Sequence, residues 1–473
     1  MKRYTAPGFL CALAAVLLGW ALQRSSGMFE PWALALATLT AALAILAAIR
    51  GRLLEGKRVL GGLTQARVQP AALAAEPRPL VTQLLLGIGI LSGLYCHLFE
   101  SPTFYADPRR LGSFHPLALF ALVIVSAYLC LHLRASLRRA RFWLLLAVFA
   151  LMGIAIIRAS QEPHIDVWVF QQIGGDALWR GFNPYSISYP DLYARSGETL
   201  KMYGPAIVEA GRVTIYPYPP LTALLEAPVH AALGEVRYLL LFAMLLAAWA
   251  IARLAEPEGV TAELAALYLL FQPRAFFMLE QGWTDSMVLA LFAVALLVAQ
   301  RWRGRPRAFV AVGIAVGLLA ASKQYTPLLI VPLALALPPG KRLRTALVAL
   351  GVVLVTALPF ALWDPAGLWR DVVMTQFRQP MRTDSLSLLA LWVRQGGVAP
   401  GGALLAFLAA GLVLLVTLRR RLSLGQAATV AAASWLILVL LNKQAFCNYD
   451  YLGIGLLCAA VAARSGTRSL EAA

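Results

Sequence analysis

Between Phe142 and Ile157 the chain carries no charged side chain, and apolar runs of this kind recur from one end of the sequence to the other. About 18 or more apolar residues are enough to span hydrocarbon as a helix. In lipid every backbone N–H and C=O has to be satisfied internally, so a spanning chain is either helical or a closed barrel. Period-2 alternation is absent and continuous Leu/Ala/Val runs dominate, which selects helices. The bulk figures agree: 60% of residues are hydrophobic and 14% charged, where a soluble domain sits nearer 45–50% apolar. The fold class expected is therefore an all-α polytopic membrane protein.

Apolar runs and their breakers place fourteen spans, at 8–24, 31–49, 80–98, 115–133, 142–158, 236–254, 260–277, 284–300, 307–322, 325–338, 343–362, 402–418, 426–441 and 449–463. Two shorter apolar pieces, 221–233 and 385–394, read as interfacial or half-inserted helices. The first run resembles a signal peptide but lacks a clean small-residue cleavage site, so it reads as an uncleaved span. Cys11, Cys96, Cys130, Cys447 and Cys458 form no CxxC pair and mostly lie inside apolar runs; small buried residues in helices account for them.

With the N-terminus inside, 25 of the 41 Lys and Arg fall on the inner side and 16 on the outer. That is the positive-inside pattern, with both termini cytoplasmic and the chain multi-pass in the cell's inner (plasma) membrane. The net charge of +18 thus faces anionic lipid headgroups and makes no case for nucleic acid. Acids split the other way, and all nine Asp lie outside. A carboxylate-rich outer face suits chemistry carried out on that face. Three regions follow: an N-terminal transmembrane scaffold module at 1–140, a functional transmembrane module at 141–465 with a long outer loop at 159–220, and a cytoplasmic tail at 466–473.

The outer loop is the most informative segment. Asp166 follows a span by eight residues; Val167, Phe170, Ile173 and Leu178 then recur near helical spacing, giving an amphipathic helix that Gly181 and Asn183-Pro184 end. Ile207, Val208, Val213, Thr214 and Ile215 flank Glu209-Ala210-Gly211-Arg212 and suggest a small hairpin. Tyr216-Pro217-Tyr218-Pro219-Pro220-Leu221 closes the segment, Pro220 suiting the first turn of the next helix.

An Asp just beyond a span, an aromatic-rich helix, Gly181-Phe182-Asn183-Pro184-Tyr185 and Tyr218-Pro219-Pro220-Leu221 together resemble the GT-C glycosyltransferases, most closely the bacterial polyprenyl-phosphate-mannose-dependent mannosyltransferases. The eukaryotic enzyme that adds the first mannose to the glycosylphosphatidylinositol anchor is similar. The likeness covers residues 140–460. It implies a GT-C-like helix bundle, a polyprenyl-phosphate sugar as donor, a lipid or glycan acceptor, membrane lipids as surroundings, and an acid in the first large outer loop as catalytic base. Asp166 matches that acid. The spans before it lie outside the usual minimal pattern, and 191–215 looks like an insertion.

Transfer of a sugar from a lipid phosphate to a hydroxyl needs a base at the acceptor oxygen and positive charge at the departing phosphate, and a single displacement inverts the anomeric centre. No cofactor is required. Asp166 is the candidate base; the plainer reading is an Asp capping its helix. Asp176, ten residues on, could support Asp166 or orient the acceptor, and His164 could donate to a phosphate. Candidate phosphate ligands at the outer boundary are Lys323, with Gln324 beside it, Arg378, Arg382 and Lys443. An interfacial anchor is the competing account for Lys443. Asp285, in Gln281-Gly282-Trp283-Thr284-Asp285, and Tyr218 are candidate substrate contacts; for Asp285 helix capping competes. No Asp-x-Asp stands in the outer segment, and GxxxxGK[ST], HExxH and GxSxG are missing. The competing classes are a multi-pass transporter or lipid flippase, which would place charges near the midplane, and a non-catalytic scaffold or polymer ligase subunit.

Overall fold

A computed structural model describes residues 6–64, 79–130, 135–204, 207–255, 259–399, 404–418 and 421–466. Residues 65–78, within the loop expected to face inward, and the expected cytoplasmic tail beyond 466 lie outside the described residues. The chain is an all-α polytopic membrane protein. Its helices are α1 (Pro7–Ser25), α2 (Pro31–Thr64), α3 (Pro79–Phe99), α4 (Phe114–Cys130), α5 (Ala135–Ala159), α6 (Asp166–Trp179) and α7 (Thr199–Tyr203). They continue with α8 (Pro220–Leu233), α9 (Arg237–Arg253), α10 (Val260–Phe271), α11 (Ala275–Glu280), α12 (Asp285–Arg301), α13 (Ala308–Ala320) and α14 (Pro327–Ala336). The last third holds α15 (Pro339–Trp363), α16 (Pro365–Leu368), α17 (Thr375–Arg378), α18 (Leu388–Arg394), α19 (Leu404–Thr417), α20 (Leu424–Leu440) and α21 (Cys447–Gly466).

A helix stands at each of the fourteen expected spans, but they are not alike. Among the described residues five are long and apolar enough to cross a bilayer by length and composition, in α1, α2, α3, α5 and α15. Six more are apolar but only 10–17 residues long. The expected run 260–277 is interrupted: Pro273 lacks an N–H and forces Gln272 to extended backbone (φ −63°, ψ 153°), so α10 stops and α11 starts afresh. The short piece after Pro220 is a helix of its own, ended by Gly234 in the left-handed region and bent 115° from α9.

Pro at the first turn starts α1, α8, α14, α15 and α16, where its missing N–H costs nothing. Ser423 and Gln426 make a reciprocal capping box at α20. One continuous apolar core runs through residues from both the N-terminal and the later spans. In it α1 packs on α2 and α21, α2 on α20, and α3 on α10.

The outer segment makes a second core of Phe170, Tyr185, Tyr189, Tyr203, Val213, Tyr216 and Tyr218. Beside it lies the expected hairpin: β2 (Val208–Glu209) and β3 (Arg212–Val213), joined by Ala210 (φ 49°) and Gly211 (φ 73°). Positive φ at both central residues matches the right-handed strand twist. The sequence did not indicate β1 (Tyr189–Pro190), which completes an antiparallel β1-β3-β2 sheet.

The α3–α10 contact is close enough to exclude any side chain at Gly93, where a Cβ would stand 1.9 Å from the Phe271 carbonyl oxygen. Gly93→Ala should cost about 1–3 kcal/mol through forced separation of the helices. Thermal unfolding of the detergent-solubilised protein reads this as a lowered Tm. Gly112→Ala, whose Cβ would meet nothing within 4 Å, should leave Tm near wild type.

Candidate active site

Asp166 opens α6, with Ile165 as the cap residue, so it stands in the first turn and does not serve as the N-cap. Its Oδ1 accepts the N–H of Val167 at 2.8 Å. Burial raises the carboxyl above the ordinary Asp range; the Val167 N–H, the Arg382 guanidinium and the hydroxyls of Tyr203 and Tyr193 oppose that rise. The residue is only half-buried, so the carboxylate remains reachable. The Tyr203 hydroxyl is buried and acts on the Asp166 carboxylate, and both Tyr193 and Tyr203 are held well above the usual phenol range by burial and by the charge of Asp166.

Tyr218 connects this carboxylate to a second cluster. Its phenol is raised by burial and then by Asp166, Glu226 and Asp285, so all three acids lie within electrostatic reach of one ring. The ring is fixed by its own backbone, whose carbonyl accepts the Tyr185 hydroxyl at 2.7 Å. Over it stands the Lys323 ammonium, 5.3 Å from the ring centroid and 5.8 Å from that of Tyr325. Lys323 comes from the turn between α13 and α14 and lies 3.7 Å from Asp285 Oδ2.

The Asp285 carboxylate is fully buried. It does not cap α12; it accepts the Tyr325 hydroxyl and, at 2.7 Å, the Asn448 amide of α21. Gln324 donates to the Pro217 and Val372 carbonyls at 3.0 Å each, tying the Tyr-Pro-Tyr-Pro-Pro turn to the π-helical segment Trp369–Met374. A π-helical stretch is rare and tends to mark functional sites.

The cations of the 376–385 loop differ from one another. Arg382 makes a two-pronged bond to Asp384 at 2.8 Å on each prong, packs 4.8 Å over Phe446, and still acts on Asp166. Lys443 is buried and its pKa is lowered by that burial; its Nζ donates to the carbonyls of Phe377 (3.2 Å) and Gln379 (2.7 Å), while its own carbonyl accepts the Arg382 N–H at 3.1 Å. It thus holds the loop in shape. Arg378 is exposed and makes no side-chain bond. Asp176 sits at the far end of α6, with Arg180 at 3.0 Å and His230 at 3.5 Å. The geometry gathers Asp166, Tyr218, Lys323, Asp285 and Arg382, gives Gln324 and Lys443 bracing positions, and leaves Asp176 and Arg378 aside. Among the described residues no three His, Cys, Asp or Glu side chains come together as a cation site.

Three groups at this site went unread in the sequence. Glu226 is buried in α8, accepts the Tyr216 hydroxyl at 3.0 Å and keeps Oε1 without a partner. An acid inside an apolar helix is costly and signals a role, and that signal was there to find. Tyr203 lay in the stretch taken for an insertion. Asp371, buried in the π-helical segment, accepts the Tyr216 N–H at 2.9 Å and Arg370 at 2.7 Å.

An all-helical membrane bundle with a pocket of carboxylates, tyrosines and cations at one boundary is the build of a membrane glycosyltransferase. The comparisons agree: the model of glycosyltransferase family 87 matches residues 216–468, more than half of the chain, and the chain belongs to that family. It is a glycosyltransferase, and the transporter alternative gains no support. The matched stretch carries Tyr218, Glu226, Asp285, Lys323, Arg382 and Lys443 and begins downstream of Asp166. No curated protein and no solved structure matches the chain.

Burial raises the Asp371 carboxyl to about 6, against the opposing bonds of Arg370 and the Tyr216 N–H. A raised acid binds its proton more tightly in the folded state, so its contribution to stability is full below about pH 4 and is lost as pH climbs through about 6. Asp371→Asn should therefore gain in Tm relative to wild type on going from pH 4.5 to pH 7.5, measured in matched buffers. A difference that does not change with pH would contradict the assignment.

Proposed function

We propose that the protein transfers a hexose, mannose by its resemblance, from a polyprenyl-phosphate donor to a lipid or glycan acceptor, at the outer face of the inner (plasma) membrane with both termini cytoplasmic. Asp166 takes the proton of the acceptor hydroxyl as that oxygen bonds to the anomeric carbon. The carbon–oxygen bond to phosphate breaks on the opposite side, and polyprenyl phosphate leaves with the electron pair. One displacement inverts the anomeric centre. Lys323 faces the departing phosphate, and Arg382 adds positive potential near the base.

The observation that carries this reading is Tyr218, whose ring lies 5.3 Å from the Lys323 ammonium and whose phenol is raised in part by the charge of Asp166. A base and a cation that both act on one fixed side chain suit an in-line transfer between a hydroxyl and a lipid phosphate. The buried Tyr203 hydroxyl offers a donor to the carboxylate or to an acceptor oxygen. Burial of Asp166 supports the role too, because a base works best when its pKa approaches the working pH.

Asp166→Asn should lower transfer from labelled polyprenyl-phosphate mannose by about 10²–10⁴-fold while the protein still folds. In the wild type the rate should fall with decreasing pH at a midpoint above the ordinary Asp value of 3.8. Equal transfer by the Asn variant would remove Asp166 as base. Labelled polyprenyl-phosphate glucose, run in parallel, tests the sugar.

A further inference from the structure

The spans before Asp166 are more than a platform. The loop between α3 and α4 reaches the outer segment, and the Tyr105 hydroxyl donates to the His164 carbonyl at 3.0 Å, two residues ahead of Asp166. The loop is pinned by an unusual acceptor. Glu280, buried at the end of α11, takes the backbone N–H groups of Phe104 (2.7 Å), Tyr105 (2.8 Å) and Ala106 (2.8 Å) on one carboxylate. Charge-assisted bonds of this kind are roughly twice as strong as neutral ones. One residue further on, the Asp107 N–H bonds the Ala159 carbonyl at 2.9 Å, where α5 ends.

The other end of the same connection is held independently. Arg237, with no exposed surface, donates to the Ser160 carbonyl at 2.6 Å, to the Ser160 hydroxyl at 2.9 Å and to the Glu280 carbonyl at 3.2 Å; Glu235 balances its charge at 2.7 Å. The stretch from Ser160 to Asp166 is thus anchored at Ser160 by Arg237 and at His164 by Tyr105.

We infer that Tyr105 is a positioning residue for Asp166: held by Glu280, it fixes the His164 backbone and so sets where the carboxylate of α6 stands in the pocket. This rests on Asp166 being the base. Tyr105 is 41% exposed, so its contribution to packing is small and its hydroxyl can be removed without opening the core. The titratable and charged groups facing Asp166 are Tyr105, Tyr193, Tyr203 and Tyr218 and the Arg382 guanidinium. Loosening the backbone at His164 changes the distance of the carboxylate from all of them.

The experiment is Tyr105→Phe beside Asp166→Asn in the full-length detergent-solubilised protein, using polyprenyl-phosphate mannose. Tyr105→Phe should keep the wild-type Tm and keep the donor KM within about twofold, while kcat drops about tenfold from misplacement of the reacting group. Its acid limb should move upward by about half a pH unit, because a carboxylate less well held near Arg382 loses part of its stabilisation. Glu280→Gln, which turns one acceptor into a donor facing an N–H, should reproduce the kcat and pH effects with some loss of Tm. An inactive Asp166→Asn with a normal kcat and acid limb in Tyr105→Phe overturns this inference alone. An active Asp166→Asn removes the base and this inference together. A Tyr105→Phe variant that loses Tm and activity in parallel also overturns it, since that is the mark of a structural residue.

Discussion

The Asp285 carboxylate has no exposed surface, and that fact organises the pocket around it. A buried charge without partners costs several kcal/mol. Here the compensation comes from far along the chain: Lys323 and Tyr325 from the α13–α14 turn, Asn448 from the start of α21. Three segments, about 40 to 163 residues apart in pairs, are therefore locked to one point. Lys323 gains from the arrangement as much as Asp285 does. At 3.7 Å it is near enough to be stabilised but is not committed to a close bond, and two tyrosine rings cover its flanks. A cation so held is available to an incoming anion without first having to break a tight pair.

The tyrosines perform a second task. Tyr185, Tyr189, Tyr203, Tyr216 and Tyr218 are all buried in the cluster built by the segment between α5 and α9, where tyrosines outnumber aliphatic residues. Each ring supplies apolar area, and the hydroxyls reach backbone or acid: Tyr185 to the Tyr218 carbonyl, Tyr189 to the Pro184 carbonyl, Tyr216 to Glu226. Such groups stiffen a loop while leaving few unpaired donors. Tyr203 differs from them in turning its hydroxyl to the Asp166 carboxylate.

How much of this was legible follows from the physics of each feature. Apolar runs reveal helices because hydrocarbon leaves the backbone no alternative, and helices stand at all fourteen expected runs. The outer amphipathic helix and the hairpin were equally plain, from spacing and from a two-residue turn. What the sequence hid was partnership. Asp285 read as a substrate contact, a pin for its loop or a helix cap, and nothing local pointed to Tyr325 and Asn448 as its partners. Arg378 and Arg382 looked alike at four residues apart, yet Asp384 orients one and leaves the other in solvent. Lys443 looked like a phosphate ligand or an interfacial anchor and is instead a brace on two carbonyls. A pairwise contact between distant segments leaves no periodicity to read, whereas a helix or turn does. Glu226 is the exception, since an acid between Leu225 and Ala227 declares its cost locally.

The same reasoning bears on why the first four helices belong to the catalytic body. A helix that only insulated the bundle would meet it through apolar side chains. Here the contacts at the outer boundary are polar and specific. The turn after α1 pairs Met28 with Ser385, and the Phe29 N–H bonds the Asp384 carbonyl at 2.8 Å, beside the residue that orients Arg382. The Arg394 guanidinium covers the Phe29 ring at 4.4 Å. The α3–α4 loop does the corresponding work on the Asp166 side through Glu280 and Tyr105. The N-terminal helices therefore touch both halves of the pocket, on one side through the His164 backbone two residues before Asp166 and on the other through the loop that carries Arg382. Because α1, α2 and α3 share one apolar core with α10, α20 and α21, the separation of Asp166 and Arg382 is set by the bundle, and the connecting loops have little freedom to alter it.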